Sequence, residues 1–288
     1  MRYAAVGHIT IDDFGSQLRV GGSVSYGSTF AAGLGLQSLA VSRVGYDMSE
    51  ELLRQLEREG VDTSRVKRAC ERTTRFVIRR GRGFSCPTLL VSKCSDIEVE
   101  DLNGLEADVI HLGPVAGEIS RDVALKSIKL AYVVLLDLQG VLRVFEERGV
   151  RLSGGGLSQF LGIDLVVHLN EDEAAAATGK LDPIECLREL SKHFKVVSIS
   201  LGSEGALFSF PDGSLKASVP SVEAIDDVGA GDVLTAALGI ALARGLSPED
   251  AVRFSIASST ASTLKVGPRR VESELVSYLQ GKVELNWI

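Results

Sequence analysis

Cysteine is scarce in this chain. Cys70, Cys86, Cys94 and Cys186 are the only four among 288 residues. None forms a CxxC pair and no histidine stands near them at zinc-ligand spacing, which argues against a metal–thiolate site. Reduced thiols in a cytoplasm are the default expectation. No apolar run approaches the ~18 residues that a membrane helix needs. The start, MRYAAVGHITIDD, has no signal-peptide hydrophobic region of adequate length. A surplus of positive charge is also missing, since 31 Lys+Arg against 38 Asp+Glu leaves −7. That balance speaks against a nucleic-acid partner but not against a small anion in a local site. There is no GxxxxGK[ST], because Gly179-Lys180 runs into Leu181 and no glycine stands five residues before Gly179. GLGLQS (Gly33–Ser38) and GGGLSQ (Gly154–Gln159) each lack the third glycine of a dinucleotide fingerprint and read as turns. No repeat, low-complexity tract or linker divides the chain. A cytoplasmic protein without membrane or nucleic-acid partners is expected.

What is present is an alternation of short apolar runs and helical patterns. Tyr3–Val6, Val109–Leu112, Tyr132–Leu136, Leu165–His168 and Val196–Ile199 are rich in Val, Ile, Leu and Ala. Such runs suit strands buried on both faces of a parallel sheet. SEELLRQLEREG offers Ser49 as N-cap, Gly60 as a stop, and Glu50 with Arg54 at i,i+4. SPEDAVRFSIASSTAS offers Ser247 as N-cap, Pro248 at the first helical position and Asp250 at N3. The alternation predicts an α/β fold, doubly wound, with a mostly parallel sheet flanked by helices. Phe14–Val20, and TRFVIRR and SCPTLLV around the turn Gly81-Arg82-Gly83, fall outside that rhythm. They predict a small β lid, about residues 13–22 and 73–92, on a single domain spanning 1–288.

One glycine cluster has a telling context. VGAGD follows AIDD, read as a strand end and turn, and precedes VLTAALGIALARG, an apolar helix that stops at Gly245. The glycines thus sit at a helix N-terminus, where backbone N–H groups lack intrahelical partners and the dipole attracts an anion. The alternative is a tight turn packed on the sheet. Asp232 reads either as a carboxylate that steadies the helix start, worth about 0.3–1 kcal/mol, or as a general base, worth roughly 10²–10⁴ in rate.

At these residues the sequence resembles a known family. DDVGAGDVLTAALGIAL resembles the C-terminal signature of the ribokinase-like (PfkB) carbohydrate kinases. VGHITIDD looks like that family's first strand with its substrate-binding acid, Asp12. GGSVSYGSTFAAGLG resembles the N-terminal signature, headed by Gly21 and Gly22. VGYDMSEELLRQLEREGVDTSRV, LNEDEAAAATG and SLGSEGA resemble further segments, in order, from about Tyr3 to Pro268. The resemblance implies an ATP-dependent phosphotransferase acting on a hydroxyl of a sugar or related molecule. It implies Asp232 as the base and Gly229, Ala230 and Gly231 as an anion hole. On the nucleotide side it implies Asn170, Glu173, Ser200, Gly202, Gly205 and Gly267. Glu173 would serve Mg²⁺ through water, and Asp226 would stand at a monovalent-cation (K⁺) site. Asn170-x-x-Glu173 is equally a helix cap with its capping-box partner.

Departures from the pattern bear on the acceptor. Tyr26 stands where ribokinases usually carry Asn, and Asp227 where Thr is common. GGSVSYGS and LLDLQGVLR (Leu135–Arg143) look more like archaeal members of the inositol-kinase-like branch. That likeness adds Gln139 and Arg143 to Asp12, Gly21, Gly22 and Tyr26 as substrate-side candidates. Tyr26 stacks on or bonds to a ring, or packs lid on core; Gln139 is a ligand contact or a polar loop residue; Arg143 is a contact or a surface cation. Arg75, Arg79, Arg80 and Arg82 raise a phosphosugar acceptor, since Arg forks suit phosphate, against a merely solvated hairpin. His8, His111, His168 and His193 show no pairing; His8 reads as packing at a strand end or as lining the substrate side. The favoured expectation is a kinase for a sugar or cyclic polyol, inositol-like, with a homodimer through the lid implied by the resemblance. A ribose, nucleoside or phosphosugar kinase and a non-catalytic ligand-binding sensor are the alternatives.

Overall fold

A computed structural model describes residues 1–80, 85–147 and 149–288. The first third holds β1 (Arg2–Val6), β2 (Thr10–Asp13), β3 (Leu18–Gly21), α1 (Ser23–Gly33), β4 (Gln37–Gly45), α2 (Glu50–Arg58) and β5 (Val61–Cys70). Next come β6 (Arg75–Arg80), β7 (Ser85–Ser92), β8 (Val109–Leu112), α3 (Arg121–Ser127), β9 (Val133–Asp137), α4 (Gln139–Leu142), β10 (Arg143–Glu146) and β11 (Gly149–Leu152). The chain continues through β12 (Val166–Asn170), α5 (Glu171–Thr178), α6 (Pro183–Leu190), β13 (Val196–Ser200), β14 (Ala206–Phe210) and β15 (Gly213–Ala217). It ends in α7 (Ala230–Ala243), α8 (Pro248–Ser262), α9 (Ser273–Gln280) and β16 (Leu285–Trp287).

The main sheet has the order β16-β15-β14-β13-β12-β9-β8-β1-β4-β5. From β13 to β5 every pairing is parallel, and β14, β15 and β16 add an antiparallel edge. The apolar runs form these strands because each must bury both faces. Tyr3 and Ala5 of β1 join the core beneath α1, α7 and α8, whereas Ala4 and Val6 join the opposite core with α3 and α6. Val109 against Ile110, and Leu135 against Leu136, divide the same way. The chain leaves β1 toward β4 on one side and pairs it with β8 on the other, so a crevice opens at the carboxyl ends of these strands.

A second, four-stranded sheet, ordered β3-β2-β6-β7, stands beside that crevice. Phe76 and Ile78 pack with Val115 and Ala116, with Phe14, Leu90 and Phe145 at their margin. The alternation along β6 therefore turns Arg79 outward. The turn Gly81-Arg82-Gly83 and the side chain of Arg80 lie outside the described residues.

Helix ends follow the sequence reading. Ser49 Oγ accepts from Leu52 N, and Ser247 Oγ accepts from Asp250 N. Gly60 and Gly245 stop their helices at positive φ. Three expectations are corrected. Glu50 pairs with Arg68 of β5, not with Arg54, because a cross-element partner lies nearer than the next helical turn. AIDD is not a strand end: the segment before Gly229 has no sheet partner, and Ile225 N and Asp226 N donate instead to Thr263 O. Cys70 and Cys94 are not reduced thiols but form a disulfide, with Cα atoms 5.5 Å apart. The end of β5 and the segment after β7 meet at the base of the small sheet, a proximity that no local spacing encodes. Cys186 is buried and free.

Gly27 tests the packing of α1 on the sheet. A Cβ there would lie 2.5 Å from Tyr3 Oη and 2.9 Å from His111 Nδ1. Gly27→Ala gains about 1 kcal/mol of helix propensity but overpacks a rigid site, which costs about 1–3 kcal/mol. The variant is expected to unfold at a lower temperature than the parent; an unchanged or raised midpoint by calorimetry would show that α1 has room to move.

Candidate active site

The focus of the crevice is the N-terminus of α7. Gly229, its N-cap, has φ 81°, and an added Cβ would lie 2.2 Å from the Tyr26 ring. Glycine is required there by both conformation and space. No side chain caps the helix. Ala230 N donates to Asp227 O at 3.3 Å, whereas the amides of Gly231 and Asp232 have no acceptor among the described residues. Gly229 N likewise has no acceptor among the described residues, so of the 229–231 set expected from sequence only Ala230 N is engaged. Such open donors and the helix dipole attract negative charge.

Asp232 sits on the first turn of α7, held from three directions. Gln139 Nε2 donates to Asp232 Oδ1 at 3.0 Å and to Ser23 Oγ at 2.8 Å. Arg143 donates from Nη2 to Gln139 Oε1 at 2.7 Å and from Nη1 to Val115 O at 3.3 Å. Burial, then the negative charge of Asp137, push the Asp232 carboxyl up to about 7, against the hydrogen bond of Ser23 and the charges of His111 and Arg143. A carboxyl that titrates near neutrality is suited to taking and releasing a proton.

Beneath Asp232 runs a belt of buried polar groups across the sheet. Tyr3 Oη bonds His111 Nδ1 at 2.7 Å, and His111 Nε2 bonds Asp137 Oδ2 at 2.7 Å. Thr235 of α7 donates to Asp137 Oδ1 at 2.6 Å and lies 3.0 Å from Gly231 O. His168 bonds Ser198 Oγ at 3.0 Å, and its Nε2 lies 3.1 Å from where a Gly231 Cβ would be. Burial alone would raise Asp137, but the charge and hydrogen bond of His111, then His168 and Thr235, hold it below its ordinary value. Burial pushes His168 down.

On the side of the small sheet Asp12 is 5% exposed and accepts from Thr10 Oγ1 at 2.7 Å. Burial drives its carboxyl up to about 6, opposed by Thr10, Arg143 and Arg19. A Cβ on Gly21 would overlap the Asp12 carboxylate at 2.0 Å, and one on Gly22, at φ 85°, would meet His8 O at 2.3 Å. The glycine pair therefore admits Asp12 and turns the chain into α1. Tyr26 packs under Gly229 with 6% exposure, among Asp12, Asp226 and Asp232. His8 is fully buried, bonded by Thr74 Oγ1 at 2.8 Å and Ser95 O at 2.9 Å. Ser95 O can only accept, so His8 Nε2 carries a proton and donates to it. Arg75 pairs with Asp13 at 2.6 Å rather than pointing into the crevice.

On the opposite side Asn170 and Ser200 end the neighbouring strands β12 and β13, in register. Asn170 Oδ1 accepts from Glu173 N and Glu173 Oε2 accepts from Asn170 N, both at 2.9 Å, so the capping box is formed. Glu173 is buried at the helix start, and that burial pushes its carboxyl up against the charge of Arg143. Gly202 (φ 58°) and Gly205 (φ 112°) bound a tight turn, and Gly267 N donates to Asp226 Oδ2 at 3.2 Å. Ser23, Asp137, His111, His168, Thr235 and Arg19 were not singled out as site residues from the sequence. Asp137 alone carried a signal, an acid closing the apolar run VVLLD at the carboxyl end of a buried strand.

Residues 156–274 match the pfkB family carbohydrate kinase model. A 1-phosphofructokinase of Haloferax volcanii is 34% identical over 125 residues, 41% of this chain and 41% of that protein. The chain spans about half or less of the length of the first curated relatives it matches. A pyrophosphate-dependent kinase of the ribokinase family, solved with a pyrophosphate analogue and myo-inositol, superposes with TM-score 0.79 at 21% identity, over 96% of this chain and 99% of that one. A Vibrio cholerae O395 fructokinase double mutant, solved with fructose, ADP and potassium, superposes with TM-score 0.77 at 20% identity, over 96% and 98%. The fold is ribokinase-like.

The raised Asp232 carboxyl has a consequence for stability. The fold keeps a proton that an unfolded aspartate releases near pH ~3.9, so this group favours the fold at low pH. That contribution is lost as pH rises from there through about 7. The melting temperature of Asp232→Asn minus that of the parent is therefore expected to grow between pH 5 and pH 8. A difference that stays flat or shrinks would contradict the raised carboxyl.

Proposed function

We propose that this chain, which carries a PfkB family carbohydrate kinase domain on a ribokinase-like fold, transfers the γ-phosphoryl group of ATP to a hydroxyl of a sugar or cyclic polyol. The observation that carries the reading is a carboxylate tuned to about 7 beside unpaired amides at the start of α7. Phosphoryl transfer asks mainly for positioning and neutralisation of charge. Gln139 fixes the plane of the Asp232 carboxylate, which takes the acceptor proton as the hydroxyl attacks. The amides of Gly231 and Asp232 receive the phosphoryl oxygens, and each such donor is worth about 3–4 kcal/mol of barrier. Arg143 supplies positive charge from the side of Gln139. Tyr26 acts as the floor that holds Gly229 in place.

The donor side fits a magnesium nucleotide. Glu173 spends one oxygen on its capping box and offers the other to a metal-bound water, with Asn170 and Ser200 beside it. Mg²⁺ there would neutralise donor oxygens as charge builds. A donor gripped by charge alone needs several basic side chains, yet between 196 and 243 the only Lys or Arg is Lys216, exposed on β15. This favours ATP over pyrophosphate. On the acceptor side Asp12 stands in register with Phe76 of the neighbouring strand, which packs with Ile78, a combination suited to a neutral ring with hydroxyls at its edge. With Arg75 engaged by Asp13 and Arg79 turned outward, the small sheet presents no free cation for a phosphosugar among its described side chains.

A panel of polyols, sugars and nucleosides with MgATP, scored by ADP release, tests the reading. Turnover is expected with a neutral polyol or sugar. Asp232→Asn should lose at least about 10³ of kcat/KM while still binding MgATP by calorimetry. Near-parental turnover in that variant would remove Asp232 as the base, and ligand binding without ADP release across the whole panel would favour a sensor. In the active parent, log kcat/KM should fall with a slope approaching two below pH 6, as Asp232 and then Asp12 take protons. Asp12→Asn should reduce that slope to one.

A further inference from the structure

Asp226 stands where the family resemblance places a monovalent cation, and the fructokinase noted above was solved with potassium. The surroundings of this carboxylate are donors, not ligands. Arg19 Nη1 donates to Oδ2 at 3.0 Å, Gly267 N donates to the same oxygen at 3.2 Å, and Val228 N donates to Oδ1 at 3.3 Å. A cation there would need oxygen ligands turned toward it, yet it would meet a guanidinium and two N–H dipoles. The residues do not fit a soluble cation at this carboxylate.

Arg19 is itself firmly placed. It lies on β3 opposite Asp12 of β2, and its guanidinium rests 4.2 Å from the centre of the Phe14 ring. Asp226 is 5% exposed, and its backbone N is tied to Thr263 O at 3.0 Å. It precedes the N-cap Gly229 by three residues, so whatever fixes Asp226 also fixes the start of α7. A buried carboxylate without a counter-charge is strongly destabilising. One guanidinium meets that need and joins the small sheet to the phosphoryl loop.

We propose that Arg19 is a built-in counter-ion that takes the place of a monovalent cation, making the protein independent of K⁺ and coupling the small sheet to the loop that opens α7. The claim about turnover rests on the kinase reading above; the claim about the counter-ion does not. Arg19 is a positioning residue, since it acts through Asp226.

The test compares KCl with tetramethylammonium chloride at equal ionic strength, reading melting temperature and ADP release. The parent should give the same values in both salts. Arg19→Ala should melt at least about 3 °C lower and lose roughly ten- to a hundredfold in kcat/KM in tetramethylammonium, with K⁺ restoring part of both. Arg19→Lys, which keeps a positive charge, should stay insensitive to K⁺. A parent whose melting or turnover rises with K⁺ overturns the proposal, as does an Arg19→Ala variant unaffected in either salt. Should Arg19→Ala fail to fold, the parent and Arg19→Lys still decide the matter. If no acceptor gives ADP release, the kinase reading falls while the melting comparison still judges the counter-ion.

Discussion

One guanidinium is shared among three carboxylates, and the site depends on that sharing. Asp12, Glu173 and Asp232 are each pushed up by burial, and the charge of Arg143 opposes the rise in all three. Without a common cation, acids gathered in a low-dielectric crevice would repel one another and hold their protons. Arg143 can serve all three because it stands at the junction of α4 and β10, pinned by Val115 O and Gln139. Its grip on Gln139 passes on to Asp232 Oδ1, so the residue whose charge acts on that carboxyl also orients it. In the proposed function, acid and phosphate can coexist in DDVGAGD because the charges are divided. The Arg143 charge acts on Asp232 and Arg19 pairs with Asp226, and on the proposed reading the unpaired amides between and beside them would receive the anion.

The fold supplies this arrangement through its parallel sheet. Strands buried on both faces bring Asp137, Asn170 and Ser200 to one edge, and the crossover after β1 brings α1 and the small sheet to the same edge. The polar belt of Tyr3, His111, Asp137 and Thr235 lies inside an otherwise apolar layer, fully hydrogen-bonded at each link. It fixes α7 against β9 through Thr235, and its negative charge contributes to the raised Asp232 carboxyl. A half-satisfied belt would cost stability, whereas a complete one specifies how α7 sits.

Local features were legible in the sequence because local physics sets them. The caps at Ser49 and Ser247, the stops at Gly60 and Gly245, and the apolar strands all appear where propensity and period put them. Asp232 and the glycines at the start of α7 were legible for the same reason, since a helix start is a short-range pattern. Which amides of that helix start stay open was not legible, because a single turn bond, Ala230 N to Asp227 O, engages one of them. Long-range pairings were not legible. Nothing in the spacing of Arg19 and Asp226, 207 residues apart, announces their contact, and Cys70 with Cys94 depends on how β5 meets the small sheet. Gln139 and Arg143 were visible only as family likeness, and their roles became physical once the structure linked them to Asp232. Asp227 departs from the threonine usual in the family that the sequence resembles.

The central claim is that the start of α7 and Asp232 form one phosphoryl-transfer site. A crystal structure with ADP, Mg²⁺ and aluminium fluoride, a mimic of the transferring phosphoryl group, tests it most directly. The account predicts the fluoroaluminate within hydrogen-bond distance of the amides of Gly231 and Asp232, with Glu173 facing the metal's water and the Asp232 carboxylate on the side away from ADP. Density for the mimic elsewhere in the crevice, or with those amides still unpaired, would contradict it.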